Sequence, residues 1–114
     1  MNTKINLTYK GDKFTLEYNR MAVKLLENAG FVLDEFLTKP MNNIELAFSG
    51  AFLKNHKNTP QTTIDAIFNS CKDKSKLMIT LQHMIQETYD SLLEEPEGDE
   101  GNVSWEVEDS SPKK

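Results

Sequence analysis

Apolar and polar residues alternate in the segment from Thr3 to Tyr18, and this period of two predicts two β-strands. The apolar members of the two strands are Ile5, Leu7, Tyr9, Phe14, Leu16 and Tyr18. Between the strands, Gly11 and Asp12 favour a tight turn of the primed type. Because an isolated two-stranded hairpin is only marginally stable in water, its apolar face is expected to pack against other elements.

From position 19 onward the apolar residues recur at intervals of three and four, which predicts α-helices. Asn19 is expected to cap the first helix and Gly30 to end it. The expected buried stripe of this helix is Ala22, Leu25, Leu26 and Ala29. Residues 31–37 are predicted to be a linker with at most one helical turn.

Three further helices are predicted after the linker. The second begins at Asn42 or Asn43 and packs closely at Gly50, the third begins at a Thr59 cap, and the fourth ends near residue 93. The side chains expected inside are Ile44, Ala47, Phe48, Ala51, Phe52, Ile64, Ile67, Phe68, Cys71, Leu77, Met78, Leu81, Met84, Ile85, Tyr89, Leu92 and Leu93. The predicted fold class is therefore α+β and mostly α, with an N-terminal hairpin packed on a bundle of about four helices.

Charge divides the chain into two parts. Residues 1–93 hold 11 Lys and Arg against 10 Asp and Glu, whereas residues 94–114 hold two lysines against eight carboxylates. Pro96, Gly98, Gly101 and Pro112 further disfavour regular structure in the second part. Such a segment cannot bury enough apolar area to offset its ordering entropy. We therefore expect a domain over 1–93 and a disordered acidic tail over 94–114.

The tail contains one apolar island that includes the only tryptophan of the chain, Trp105, between Val103 and Val107. The three side chains alternate as they would in a strand, so the island is predicted to dock on a partner or on an exposed hairpin edge. A plain solubilising tail is the alternative. Lys54 and Lys57 lie near the end of a predicted helix and are the expected basic counterpart, although cations there also complement the helix dipole.

Several classes of function are disfavoured by the residues present. His56 and His83 have no ligand partners at metal spacing, Cys71 is the only cysteine, and no glycine-rich phosphate loop occurs. No nucleophile has a base and an orienting acid in a recognisable motif. We thus expect no enzyme activity, no cofactor and no metal. Apolar runs too short for a membrane span and the acidic balance lead us to expect neither membrane insertion nor nucleic-acid binding, but a protein partner.

The order of these signals resembles a family of small tail assembly chaperones from long-tailed phages and prophages of Gram-positive bacteria. The resemblance rests on FTLEYNR at 14–20, ENAGF at 27–31, KPM at 39–41, FSGAFLKNHK at 48–57, YDSLL at 89–93 and GNVSWE at 101–106. The stretch 48–57 is its most specific part, and nearly the whole chain is covered.

The resemblance implies an assembly factor that acts in the host cytoplasm, is not part of the mature virion and performs no catalysis. Its expected partner is the tape-measure protein, with tail-tube subunits as a further client. The sequence leaves open whether the chain also forms a homo-oligomer. Two alternatives stay open at this point. One is an acidic inhibitor or regulator that binds a host DNA-binding protein, and the other is a minor structural component of the tail.

Overall fold

A two-stranded hairpin precedes a set of helices that cover one of its faces. The computed structural model describes residues 3–94 and 103–108. Its elements are β1 (Ile5–Tyr9), β2 (Asp12–Leu16), α1 (Arg20–Asn28), a 3-10 turn (Leu33–Glu35), α2 (Pro40–Gly50), α3 (Leu53–His56), α4 (Gln61–Ser70) and α5 (Lys74–Leu92). The predicted fold class is confirmed, with α3 as an additional short helix.

Most of the predicted disordered tail lies outside the described residues. Residues 103–108 are described and contain neither helix nor strand.

The hairpin pairs antiparallel, with Ile5 opposite Leu16 and Tyr9 opposite Asp12. Its turn consists of Lys10 and Gly11, which have φ angles of 51° and 87°. Two successive left-handed residues define the primed turn that matches the twist of paired strands. The turn type was predicted correctly, but its position lies one residue earlier than Gly11 and Asp12, and Asp12 belongs to β2.

Aromatic side chains form the centre of the core, as the sequence predicted for Phe48 and Phe52. Both are 1% exposed, and their ring centroids lie 5.3 Å apart in an edge-to-face arrangement. Phe14 of β2 contacts Phe52 in the same manner, at 5.6 Å. The apolar face of the hairpin is therefore packed against the helices that follow it, and this packing provides the support that two strands alone lack.

Helix α2 begins earlier than predicted. Pro40 is its first residue, where the missing N–H and the fixed φ of proline fit a helix start. Asn43 is not a cap but a buried side chain. Its Oδ1 accepts from the backbone N–H of Val32, and its Nδ2 donates to the carbonyls of Glu35 and Lys39. A single amide thus fixes the linker between α1 and α2.

Helix α4 also differs from its predicted start. Pro60, rather than Thr59, occupies the N-cap of α4, and no side chain caps that helix. Helix α5 begins at Lys74, and Asp73 caps it by accepting from the backbone N–H of Lys76 at 3.2 Å.

Two predicted buried stripes are partly wrong. In α1 the inward residues are Ala22, Val23 and Leu26, whereas Leu25 is 45% exposed. At the other end of the chain Leu92 and Leu93 are 58% and 82% exposed. Ala29 is also exposed, and Ile44, Phe68, Cys71, Leu77, Met78 and Tyr89 are only half-buried. The face of α1 that points inward is selected by its contacts with α2 and α5.

Strand β1 runs antiparallel to α5. At its beginning, the backbone N–H and the hydroxyl of Thr3 donate to the carboxylate of Glu87, at 2.8 and 2.9 Å. Burial raises the pKa of Glu87, but the Thr3 hydrogen bonds together with the neighbouring His83, whose Nε2 lies 3.1 Å from Oε2 of Glu87, outweigh it and the net pKa is lowered. Further along, Ile5 and Leu7 lie beside Leu77 in the first half of α5. The first strand is therefore held by the last helix of the described domain.

Candidate partner-binding surfaces

Lys54, one of the predicted partner-binding residues, forms an ion pair within the fold. Its Nζ lies 2.9 Å from Oε1 of Glu17, whose side chain is 8% exposed. Asn55 donates from Nδ2 to the other carboxylate oxygen at 2.8 Å. The Asn55 hydrogen bond, then the Lys54 hydrogen bond, lower the pKa of Glu17 despite its burial. The charge of Lys54 is therefore largely neutralised before any partner binds.

Lys57, the other predicted basic residue, is exposed and lines an open cleft together with Lys54 and His56. His56 is not a free cation in this cleft. Its Nε2 accepts a hydrogen bond from the backbone N–H of Thr15 at 3.0 Å, and its ring packs edge-on against Phe14. An accepting nitrogen requires the neutral tautomer with the proton on Nδ1. Of the two predicted lysines, Lys57 is therefore the one that forms no ion pair among residues 3–94 and 103–108.

The two outer edges of the hairpin differ. The edge of β2 is covered: Thr15 donates to His56 and accepts from Asn55 Nδ2, and the Glu17 N–H donates to the carbonyl of Ala51. The edge of β1 is open. Because Tyr9 and Asp12 close a two-residue turn as a hydrogen-bonded pair, the backbone groups of Asn6 and Thr8 point away from β2.

No hydrogen bond to the outward backbone groups of Asn6 and Thr8 is found among residues 3–94 and 103–108. Unpaired strand edges of this kind are templates for a further strand. Of the two hairpin edges, β1 is therefore the one available to a binding partner.

A groove of about 490 Å³ runs between β1 and the first half of α5. Its lining consists of Ile5, Leu7, Cys71, Leu77 and Thr80, with Lys4, Lys72, Asp73 and Lys76 around it. We call it the lysine-rimmed groove. Asp73 is engaged as the cap of α5. The rim therefore presents more positive than negative charge beside an apolar floor and an open strand edge.

A second groove, of about 250 Å³, lies across α1, α2 and α3. Leu25, Leu46 and Leu53 line it, and we call it the leucine groove. Leu25 is 45% exposed, while Leu46 and Leu53 are half-buried. Leu25 was expected to be buried, so this surface was not predicted from the sequence. The sequence of α1 does allow Leu25 to be exposed, because Val23 and Leu26 form an apolar pair at helical spacing that can face the core in its place.

The predicted docking island remains uncovered. Val103, Trp105 and Val107 are 81%, 80% and 78% exposed, and the ion pairs found among the described residues do not include Glu106 or Glu108. The island and the predicted lysines are thus not brought together in this structure. Its docking on a partner stays a prediction.

Lys74, the first residue of α5, contacts the end of the neighbouring helix α4. Lys74 donates from Nζ to the carbonyls of Asn69 and Cys71, at 3.3 and 2.9 Å, and lies 5.4 Å from the centre of the Phe68 ring. These carbonyls end α4, where cations complement the helix dipole. Cys71 is half-buried rather than fully buried, and burial raises the pKa of its thiol while Lys74 lowers it in part.

Comparison with known proteins identifies a family. A family model described as a domain of unknown function, DUF5055, matches residues 1–109. The chain belongs to this family. The match extends past the helical domain and includes the Val103–Val107 island of this DUF5055 member. Neither a curated protein nor a solved structure shows significant similarity to the chain.

Two observations on the DUF5055 chain concern metals and membranes. Within residues 3–94 and 103–108, no three His, Cys, Asp or Glu side chains lie close enough to hold a metal ion. In the same ranges, no helix combines the length and the apolar content that crossing a bilayer requires.

Proposed function

We propose that this protein is a phage tail assembly chaperone that binds the tape-measure protein before the tail polymerises. The observation that carries the proposal is the leucine groove, in which a leucine that is nearly half exposed lies beside two half-buried ones on three different helices. Under this proposal the protein acts in the host cytoplasm, leaves before the virion is complete and catalyses no reaction.

The leucine groove has the character of a site for an amphipathic helix. Such a helix inserts an apolar stripe at three- and four-residue spacing into a groove with apolar walls. Leu25, Leu46 and Leu53 provide those walls, and Lys57 and Gln61 provide polar groups at the margin. A long helical client that exposes apolar stripes before assembly is prone to aggregation, and covering one stripe reduces that tendency.

The acidic tail supports the same role by a different physical effect. Eight carboxylates in residues 94–114 add negative charge to any complex, and repulsion between these tails opposes association between complexes. The helical domain would then hold the client while the tail keeps the complex dispersed.

Co-expression with the tape-measure protein of the same phage tests the proposal. The wild-type chain should increase the soluble fraction of that protein and co-purify with it. Leu25→Lys should abolish both effects, because it places a charge in the groove where apolar contact is required. Met41→Lys is the matched control, since Met41 is 84% exposed and does not line the groove. It should behave like the wild type.

Three results would count against the proposal. If Leu25→Lys kept the tape-measure protein soluble and co-purified with it as well as the wild type does, the leucine groove would not be the binding site. Capture of a host DNA-binding protein in place of the tape-measure protein would favour the alternative function, an acidic inhibitor or regulator of such a protein. Retention of the chain in finished particles would favour a structural component of the tail.

A further inference from the structure

We propose that the open edge of β1 and the lysine-rimmed groove receive residues Val103–Glu108 of a second copy of this chain. The acidic island would join β1 as an added strand, so that two copies exchange their islands. This inference concerns the protein alone and does not depend on the client named above.

Strand pairing supplies the first argument. Asn6 and Thr8 direct backbone N–H and C=O groups outward, whereas the corresponding edge of β2 is already bonded to α3 and Ala51. The island lacks regular structure and exposes its backbone, and its six residues would extend over about 20 Å as a strand. That length matches the five residues of β1. Each segment therefore offers the hydrogen-bonding groups that the other lacks.

Side-chain chemistry supplies the second argument. In a strand, Val103, Trp105 and Val107 project from one face, and Glu106 and Glu108 from the other. When the apolar face is turned toward the groove, it meets the floor formed by Ile5, Leu7 and Leu77. The opposite face then lies on the side of the sheet that carries Lys4, because residues 4, 6 and 8 alternate with the inward residues of β1.

Charge adds to this match. All eight carboxylates of the tail fall within residues 94–109, and Lys4, Lys72 and Lys76 surround the groove that would receive the island. Opposite charges of this kind steer two surfaces together and fix their orientation, and the effect weakens as salt is added.

The direction of the chain favours a second copy over the island's own domain. Because β1 runs antiparallel to α5, a chain that returns from the end of α5 along the helix travels in the same direction as β1. It would form a parallel pair, which is slightly less stable per residue than an antiparallel pair. A second copy related by a two-fold axis can pair antiparallel and donate its own island in return. The exposure of the island in the single chain agrees with this arrangement.

Light scattering coupled to gel filtration, over a range of protein concentrations, tests the exchange. The full wild-type chain should shift from monomer to dimer as its concentration rises. Trp105→Ala should weaken the dimer about thirtyfold for each of the two exchanged islands, and about a thousandfold in all, because each dimer loses two central aromatic anchors. Trp105→Phe is the matched control and should retain most of the association, because it keeps an aromatic ring at the same position.

Two further variants address the receiving surface. Thr8→Pro removes an outward N–H from the free edge, where proline is tolerated, and should also leave a monomer. Lys72→Glu combined with Lys76→Glu should weaken the dimer, whereas Lys24→Glu, exposed on α1, should not. Circular dichroism verifies that each variant is folded.

Binding of a labelled peptide of residues 102–109 can be measured even if one of the surface variants fails to fold. The peptide should bind the full-length Trp105→Ala chain, and a peptide with alanine in place of its tryptophan should not bind. A wild-type chain that stays monomeric at every concentration overturns the proposal. The same monomer with Trp105 shielded from a soluble quencher would assign the island to its own domain instead. A dimer that Trp105→Ala leaves unchanged would also contradict the exchange.

Discussion

The contact between Gly50 and Leu26 allows a quantitative test of the packing between α1 and α2. A Cβ atom built on Gly50 would lie 2.6 Å from Cδ2, 2.8 Å from Cγ and 3.1 Å from Cδ1 of Leu26. Carbon atoms pack favourably at about 3.5–4.0 Å, so all three distances are repulsive. Leu26 is 3% exposed and is therefore enclosed by its neighbours. Gly50→Ala requires this leucine or one of the two helices to move.

The expected effect is the difference between two opposing terms. Overpacking a core typically costs about 1–3 kcal/mol. Replacing glycine by alanine inside a helix gains up to about 1 kcal/mol, and less at Gly50 because it is the last residue of α2. We therefore expect Gly50→Ala to reduce the free energy of unfolding by about 1–2 kcal/mol, with the steric term dominant.

A double-mutant cycle separates the steric term from helix propensity. Leu26→Ala alone should cost about 2–5 kcal/mol because it leaves a cavity. In the Leu26→Ala background the added methyl group enters that cavity, so Gly50→Ala should become neutral or stabilising. The coupling energy should reach about 1–3 kcal/mol in the stabilising direction.

Urea denaturation, followed by linear extrapolation, measures all four proteins. Asn42→Ala, at an exposed position of the same helix, is the control, because it changes helix propensity without adding a contact in the core. If Gly50→Ala raised the stability of the wild-type chain, or if the two changes were additive, the packing deduced at this position would be wrong.

Three other predictions concern the core, the pH dependence and the thiol. Phe48→Ala should cost about 3–5 kcal/mol in urea melts, a large share of the total stability of such a domain, and a loss below about 1 kcal/mol would contradict its central position. The lowered pKa of Glu17 stabilises the fold above the ordinary carboxyl value of 4.5, and that stabilisation is lost as the pH falls through the lowered pKa. Glu17→Gln should therefore flatten the acid side of the stability curve, and an unchanged slope would refute the assignment. Because burial raises the pKa of Cys71, thiol labelling at neutral pH should be slower in the folded chain than in urea, and equal rates would contradict this.

Local signals in the sequence predicted the features that depend on neighbouring residues. Asn19 caps α1 through Oδ1 and the N–H of Ala22, a contact between residues three positions apart. The close approach at Gly50 was also predicted, because glycine within an apolar stripe is unfavourable unless another group needs the space. Thr59 was assigned as a cap wrongly, since Pro60 itself takes the extended cap conformation at φ −62° and ψ 147°.

Features that depend on distant residues were not predictable by these rules. Glu17 lies between Leu16 and Tyr18, so the strand alternation puts it on the polar face, but Lys54 and Asn55, 37 and 38 residues later, enclose its carboxylate. The choice between the two hairpin edges depends on α3, a helix of four residues too short to give a periodic signal. The open edge at β1 and the exposure of Leu25 both follow from such tertiary contacts, so neither binding surface was apparent from the sequence.

The bond between Thr3 and Glu87 joins residues 84 positions apart. Ribosomes add about 5–20 residues per second, so β1 emerges about 4–17 s before its partner on α5 exists. During that interval the hairpin has its turn and its pairing partner, but an isolated pair of strands is only marginally stable. The contacts of β2 with Phe52 and His56 form once the chain up to α3 has emerged, whereas the attachment of β1 to α5 is a late event in synthesis. Its timing is set by the arrival of α5 and not by the pairing of β1 with β2.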